Sequence, residues 1–411
     1  METFFRVQTV SEVQAYARRL ARLAPETVPL DQALGRSLAH DFTAPEDLPG
    51  FTRSCMDGYA VRSRDTFGAS ESSPAYLEIT GQVLMGRQPE FNLSPGQCAR
   101  IATGGMLPAG ADAVVMVEHT RLLDEATVEL VKSVAPGANL MGPTDDAEKG
   151  RVLLPAGSRL RPQDLGLLAA LGMGEVEVVR RPRVGIISTG DEVVPLETAP
   201  GPGQVRDVNT HTLAAQVRQA GGEPVALGLV RDSAEELRRA VERSAADCDL
   251  TLLSGGSSVG MRDLTKEVFL SLEGAELWVH GVAVSPGKPF IWVSLGGHQL
   301  LGLPGQVASC MVAFHIFVEP VLEVMLGREP AAFTRFCRLK ARMARPAPSV
   351  PGREEYLRVR VERKDHDWYA HPVFGKSGLL TTLIQGQGLV RIPSRSEGLY
   401  QDDQVEVLLF P

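Results

Sequence analysis

The apolar run Leu250-Thr251-Leu252-Leu253 opens directly into Ser254-Gly255-Gly256-Ser257-Ser258-Val259-Gly260-Met261-Arg262-Asp263. The run reads as a buried strand, and the residues beyond the glycines read as a helix. Glycine lets the chain turn tightly and brings backbone N–H groups close to an anion. The hydroxyls add donors, and Asp263 adds a carboxylate able to hold a metal or a substrate hydroxyl. Strand ends of this kind in an α/β sheet are where small ligands sit. Alone, the segment also fits a flexible surface loop, so its neighbours carry the decision.

Those neighbours repeat the pattern. Val184-Gly185-Ile186-Ile187 reads as a strand ending in Ser188-Thr189-Gly190-Asp191-Glu192. Asn209 is placed to cap a helix over 209–219 that Gly221-Gly222 stops. Residues 225–229 form the next strand, and Ser233 begins a helix with Glu236 at the capping-box position. Strand–helix units joined by short loops imply a mostly parallel sheet covered by helices. Residues 278–284 and 290–293 add strands around Ser285-Pro286-Gly287-Lys288-Pro289, a rigid turn holding one lysine. Gly302-Leu303-Pro304-Gly305 leads into an apolar helix over 307–318, expected to end at Glu319-Pro320 and to be too short to span a membrane.

The flanking regions have a different texture. Residues 11–23 have helical spacing, with Ser11 as cap and Gln14 at the capping-box position, and a second short helix is expected over 30–38. From Asp41 the chain becomes rich in turn residues and reads as a loop carrying Arg53-Ser54-Cys55-Met56-Asp57-Gly58-Tyr59-Ala60. Strands are expected over 76–83, 97–101, 113–117 and 127–131, forming a β domain inserted ahead of a helix over 162–171. Alternation over 356–362, 368–372, 388–393 and 405–410 predicts a small C-terminal β domain. For 411 residues, two to four domains are expected. The boundaries expected are 1–45 with 146–180, then 46–145, 181–330 and 331–411.

A 44% hydrophobic, 22% charged chain of net charge -8 is no disordered polymer, and without a long basic face it is not expected to bind nucleic acid. Cys55, Cys98, Cys248, Cys310 and Cys337 are scattered, which suits neither a zinc cluster nor a disulfide framework. With no basic, apolar leader, a cytoplasmic protein without a membrane partner is expected.

The loops of the α/β region hold Asp191 with Glu192, Asp207 with Asn209, Asp232, and Asp263. Parallel strand ends point the same way, so several carboxylates would gather in one crevice. They repel unless a cation, a proton or a lysine intervenes, which points to magnesium-like ions used with a phosphate-bearing ligand and to Lys288 as compensating charge. Each acid alone fits surface solvation or helix capping equally well. No Gly-x-x-x-x-Gly-Lys-Ser/Thr loop, dinucleotide fingerprint or Gly-x-Ser-x-Gly elbow is present, which ranks ATPase, oxidoreductase and hydrolase readings low. Asp57 beside Gly58 fits a turn, or a second face of the site supplied by another domain or subunit, together with Thr103-Gly104-Gly105.

These residues, taken together, resemble the molybdopterin molybdenumtransferase family, the MoeA proteins and the gephyrin E domain. The marks run nearly the full length: 53–60, Ile101-Ala102-Thr103-Gly104, 108–118, 188–192, Asp207-Val208-Asn209, 255–263, Pro286-Gly287-Lys288-Pro289, 302–305, 352–356 and Lys376-Ser377-Gly378. The resemblance implies a multidomain α/β protein. Its parts are a mostly parallel three-layer α/β molybdopterin-binding domain, an N-terminal mixed helical and β region, an inserted β domain and a C-terminal β barrel. It implies a homodimer that inserts molybdenum from molybdate into adenylylated molybdopterin, releases AMP and uses Mg²⁺. A molybdopterin adenylyltransferase and molybdoenzyme acceptors would be its partners.

Carried over, the catalytic set is Asp57, Glu192, Asp232, Asp263 and Lys288, with Glu192, Asp232 and Asp263 as metal ligands. The substrate-binding set is Thr103, Ser188, Thr189, Gly190, Asn209, Gly255, Gly256, Ser257, Ser258, Gly260, Pro304, Gly305 and Ser377. The chain departs from the family at three places. Leu140-Met141-Gly142-Pro143-Thr144-Asp145-Asp146 replaces an arginine-rich stretch, Ser285 replaces a lysine, and Gln306-Val307 replaces Asn-Pro. Losing cations weakens anion capture, so a non-catalytic pterin-binding or scaffolding paralogue is the alternative reading.

Overall fold

The computed structural model describes residues 7–255 and 259–411, with residues 259–263 described by backbone alone. The chain forms two compact units, one of residues 40–155 with 162–174 and the other of residues 1–39, 156–161 and 175–411.

The smaller unit is built on a six-stranded sheet in the order Ala113–Met116, Gly58–Val61, Gln97–Ile101, Ala75–Gln82, Thr127–Leu130, Thr120–Leu122. The expectation of a loop across 53–60 is corrected. Arg53–Ser54 pairs with Leu140–Met141, and Gly58–Val61 is an interior strand. Its residues Tyr59, Ala60 and Val61 are buried because neighbours flank the strand on both sides. A Cβ on Gly58 would lie 1.9 Å from the Val115 carbonyl oxygen, so only glycine lets these two strands approach.

In the larger unit a six-stranded sheet runs Glu223–Val230, Arg183–Thr189, Leu250–Ser254, His298–Leu303, Ile291–Leu295, Ala275–His280. The first four strands are mutually parallel, Ile291–Leu295 pairs antiparallel with the fourth, and Ala275–His280 pairs antiparallel with Ile291–Leu295 and so runs with the first four. Side-chain alternation divides the strands between two cores. Ile186, Leu250 and Leu252 pack with Leu213, Val217 and Phe314, whereas Ile187 and Leu253 pack with Leu237, Val241 and Phe269. This is why the run 250–253 carries no polar face, the pattern of a strand covered by helices on both sides. Thr251 fits because its hydroxyl bonds Ser244 Oγ at 2.6 Å and His298 Nε2 at 2.7 Å.

Several local expectations are corrected. The first helix, Val10–Ala17, is capped by Thr9 with Glu12 in the reciprocal position, not by Ser11 and Gln14. Residues 30–38 form only a single 3-10 turn, Leu30–Gln32. The helix Asn209–Ala220 is not capped by Asn209. Asp207 Oδ1 accepts the Thr210 N–H at 3.1 Å instead. Ser233 precedes the helix Ala234–Asp247 as expected, but makes no side-chain cap bond.

The apolar helix does not end at Glu319-Pro320. It continues through a π-helical turn, Phe314–Val318, to Met325. Among the described residues, Val307–Met325 is the one helix long and apolar enough to cross a membrane, and 83% of it is buried inside the protein. Pro320 has no N–H for the Ile316 carbonyl. Gln14 Nε2 donates to that carbonyl at 3.0 Å, which satisfies it. Gln14→Ala is expected to cost about 1–2 kcal/mol, read by urea denaturation, because it strands a buried acceptor. A loss below about 0.5 kcal/mol would show that the carbonyl finds another partner.

Beyond the helix, five strands close into a barrel. Glu354–Lys364 pairs with Asp367–Pro372 on one side and Gly388–Ile392 on the other, and Cys337–Met343 and Gln404–Leu409 complete the circuit. Met343, Val359, Ala370, Val390 and Val407 fill its interior.

Candidate functional site

Strand order reverses between Arg183–Thr189 and Leu250–Ser254, since the chain leaves them in opposite lateral directions. A crevice at the carboxyl ends of two such strands is the ligand position dictated by this topology. A cavity of about 320 Å³ opens there. Its floor is polar. Ser188 Oγ lies 3.1 Å from Asp207 Oδ1, 2.9 Å from Thr210 Oγ1 and 3.2 Å from Ser254 Oγ. Asn209 Nδ2 donates to the Gly305 carbonyl at 2.8 Å, while its buried Oδ1 has no partner among the described residues. The helices starting at Asn209 and Val307 both begin on the cavity wall. Of their first-turn N–H groups, that of Thr210 is taken by Asp207 Oδ1 and that of Ala308 by the Ser377 carbonyl, and the helix dipoles favour an anion.

Gly255 holds the two strand ends together. Its φ of +148° disfavours other residues, and a Cβ there would lie 2.4 Å from both Thr189 Cγ2 and the Thr189 carbonyl oxygen.

Of the residues singled out from sequence, Ser188, Thr189, Glu192, Asn209, Gly255 and Gly305 line the cavity. Gly190, Asp232, Lys288, Pro304 and Ser377 are not among its lining residues. Asp232 instead accepts the Thr189 hydroxyl at 2.6 Å, and its N–H lies 3.3 Å from Asp191 Oδ1. Lys288 is exposed on its turn. Ser377 lines a separate recess of about 140 Å³ with Ser285, Pro286 and Arg358. Gly256, Ser257 and Ser258 lie outside the described residues. Gly260 and Asp263 belong to the helix Val259–Leu270, but the Asp263 side chain is outside the description. Among the described residues no group of three or more His, Cys, Asp and Glu side chains is placed to hold a metal.

Sequence reasoning misses Arg206, Val193, Val205 and Leu380, all of which line the cavity, names Gln306 only as a departure from the family, and names Asp207 as a loop acid and a family mark but not as a site residue. Asp207 had a local signal, its place beside a helix start. Leu380 had none, because it enters from the barrel end of the chain.

In the smaller unit, Asp57 and Thr103 meet. Asp57 Oδ1 accepts the Thr103 N–H at 2.7 Å and the Thr103 hydroxyl at 2.9 Å. These two bonds hold the exposed Asp57 carboxyl below its ordinary pKa. Its contribution to stability is therefore present above the unfolded-state pKa and is lost as pH falls through the folded value. Thr103→Val removes one donor and is expected to move the Asp57 titration upward. Carbon-13 NMR of the Asp57 carboxyl measures this, and an unmoved midpoint would show that the hydroxyl contributes nothing.

Family models match almost end to end. The MoeA N-terminal region (domain I and II) matches residues 8–172, the "Probable molybdopterin binding domain" matches 185–324, and the MoeA C-terminal region (domain IV) matches 340–410. The chain belongs to the MoeA family of molybdopterin molybdenumtransferases. It is 36% identical to the molybdopterin molybdenumtransferase of Nostoc sp. over 94% of this chain and 89% of that one. Its identity to the Bacillus subtilis protein of the same description is 34%, over 93% of this chain and 89% of the other. A crystal structure of the molybdopterin biosynthesis MoeA protein from Pyrococcus horikoshii OT3 superposes with a TM-score of 0.86 at 30% identity, covering 98% of this chain and 100% of that one. The MoeA fold accounts for the α/β sheet and the closed C-terminal barrel alike, and membership makes the chain an enzyme of molybdenum cofactor biosynthesis.

Within this MoeA protein the replaced segment has its own local chemistry. Met141, where the resemblance implies arginines, pairs in register with Arg53, and Arg53 Nη2 lies 3.1 Å from Met141 Sδ. Arg53, itself one of the marks shared with the family, thus places a cation beside Met141 from a different strand.

Proposed function

We infer that this chain inserts molybdenum from molybdate into adenylylated molybdopterin and releases AMP, with the switch-point cavity holding the phosphate-bearing part of the ligand. The observation that carries the reading is the cavity floor itself. Hydroxyls from Ser188 and Ser254 and two helix starts converge there, in a chain whose relatives are described as molybdopterin molybdenumtransferases. Backbone N–H groups and hydroxyls bind phosphate oxygens, and Thr189, Gly190, Gly255, Pro304 and Gly305 shape the turns that present them.

The donor set suits Mg²⁺. Glu192 and Asp207 both line the cavity and offer hard oxygen donors, and Mg²⁺ characteristically takes one or two carboxylates with waters and substrate phosphates. Bound there, the ion would neutralise charge on the pyrophosphate. Asp232 positions Thr189 through their hydrogen bond, and Asp263 is assigned to the acidic set by the family resemblance. Lys288 and Ser377 are assigned to the oxyanion-binding turn and recess. Asp57, fixed by Thr103, is assigned to the other face of the site, supplied by a second copy of the chain in a homodimer.

The second reading, a pterin-binding protein without turnover, draws on Ser285 and Met141, which stand where the resemblance implies cations. One assay separates the two. Purified protein given adenylylated molybdopterin, Mg²⁺ and molybdate is expected to release AMP in a molybdate-dependent manner. Tight binding without AMP release overturns the enzyme reading, and comparable cleavage of simple nucleotides without molybdate points to a general pyrophosphatase. Mixing Asp57→Ala with Asp263→Asn protein is expected to restore part of the activity through subunit exchange. No recovery despite proven exchange removes the shared site.

A further inference from the structure

The cavity has a polar floor, and at its edge, beside the exposed Glu192, Arg206 and Gln306, stand apolar side chains that phosphate chemistry does not use. Val193 and Val205 are register partners on a short parallel ribbon, and Leu380 enters from the first residue of the helix Leu380–Gln385 in the barrel region. Val205 is 55% exposed and Leu380 42% exposed, so neither side chain is explained by packing. The segment carrying Leu380 is tied to the long helix where that helix begins, by the Ala308 N–H donating to the Ser377 carbonyl at 3.1 Å. The chain thus spends a barrel residue on the wall of an α/β cavity. Ligand pockets generally combine a few convergent polar groups with an apolar surface that covers the ligand's rings.

We propose that Leu380, with Val193 and Val205, is a specificity-determining clamp for a fused heteroaromatic ring carried on the phosphate bound at the cavity floor. This rests on the assignment of that floor to phosphate. Both ends of an adenylylated pterin are fused heteroaromatic rings, and an apolar surface stabilises either by removing ring and side-chain area from water. The clamp acts on the ring and leaves the phosphate contacts of Ser188 and Ser254 untouched. Its loss raises KM and leaves kcat nearly unchanged, the mark of binding shared equally by ground and transition states.

The test is calorimetric titration of the full-length protein with AMP, with neopterin and with inorganic pyrophosphate. Wild type is compared with Leu380→Asn, Leu380→Ala and Val205→Thr, none of which adds charge. Covering half a leucine corresponds to about tenfold in affinity. The expected result is therefore about tenfold weaker binding of AMP or of neopterin by the Leu380 variants, with pyrophosphate changed less than about twofold. Loss confined to AMP identifies the ring as adenine, and loss confined to neopterin identifies it as pterin. Unchanged binding of both, or an equal loss for pyrophosphate, overturns the clamp. Wild-type protein that binds pyrophosphate but neither ring compound also overturns it while leaving the phosphate floor intact. Wild-type protein that binds none of the three sinks the floor assignment and the clamp together.

Discussion

Replacing Gly255 with alanine is expected to abolish most of the turnover and to destabilise the larger unit by about 3 kcal/mol. The added Cβ would stand 2.4 Å from the Thr189 carbonyl oxygen, closer than any real contact, at a φ of +148° that a side chain resists. The two strand ends must then separate at the switch point. Ser188 and Ser254, whose Oγ atoms are 3.2 Å apart, lose their common geometry. Misplacing binding groups by about 1 Å costs on the order of 10²-fold in rate. AMP release and urea denaturation measure the two effects. A variant that keeps full activity on its folded fraction would show that the strand-end spacing is irrelevant to chemistry.

The second large effect is expected in the smaller unit. Gly58→Ala places a Cβ 1.9 Å from the Val115 carbonyl oxygen, between two paired strands, where no flexible side chain can yield. The cost is about 3 kcal/mol, since either the Gly58–Val61 strand or its neighbour Ala113–Met116 must move. Asp57 precedes this strand and its backbone carbonyl accepts the Val117 N–H at 3.0 Å, so its position changes with the strand. Hydrogen exchange over residues 58–61 and 113–116 is expected to accelerate strongly, together with loss of AMP release. Unchanged protection would mean that the strands part without penalty. The paired outcome also separates Gly58 from Asp57, because Asp57→Ala is expected to lose activity while keeping protection.

Much of the site was legible because its residues lie next to strand ends, where short-range patterns work. The run 250–253 announced a doubly covered strand, and the hydroxyls and glycines after 187 and 253 announced the crevice. The strand His298–Leu303 escaped notice because it begins with two polar residues. In the fold their polarity is satisfied, His298 by Thr251 at 2.7 Å and Gln299 by the Trp292 indole N–H at 2.8 Å. The ending expected at Glu319-Pro320 failed for a similar reason. Proline normally stops a helix by removing a donor and crowding the preceding turn. Here a π-helical turn relieves the crowding, and Gln14, distant in sequence, fills the vacant bond. Glu319 is buried at that point because it accepts the Phe333 and Thr334 N–H groups, at 3.2 and 2.8 Å, besides pairing with His315.

By itself the sequence determined the α/β texture, the strand-end hydroxyls and carboxylates, and a family likeness strong enough to name the chemistry. These follow from periodicity and from motifs within a few residues of one another. Tertiary structure alone decided which of those groups share a cavity. Asp232 accepts the Thr189 hydroxyl and does not itself line the cavity, Asp207 joins Glu192 there, and Leu380 arrives from the barrel. Hydrogen bonds and apolar contacts between residues far apart in the chain set those choices, and local sequence carries no record of them.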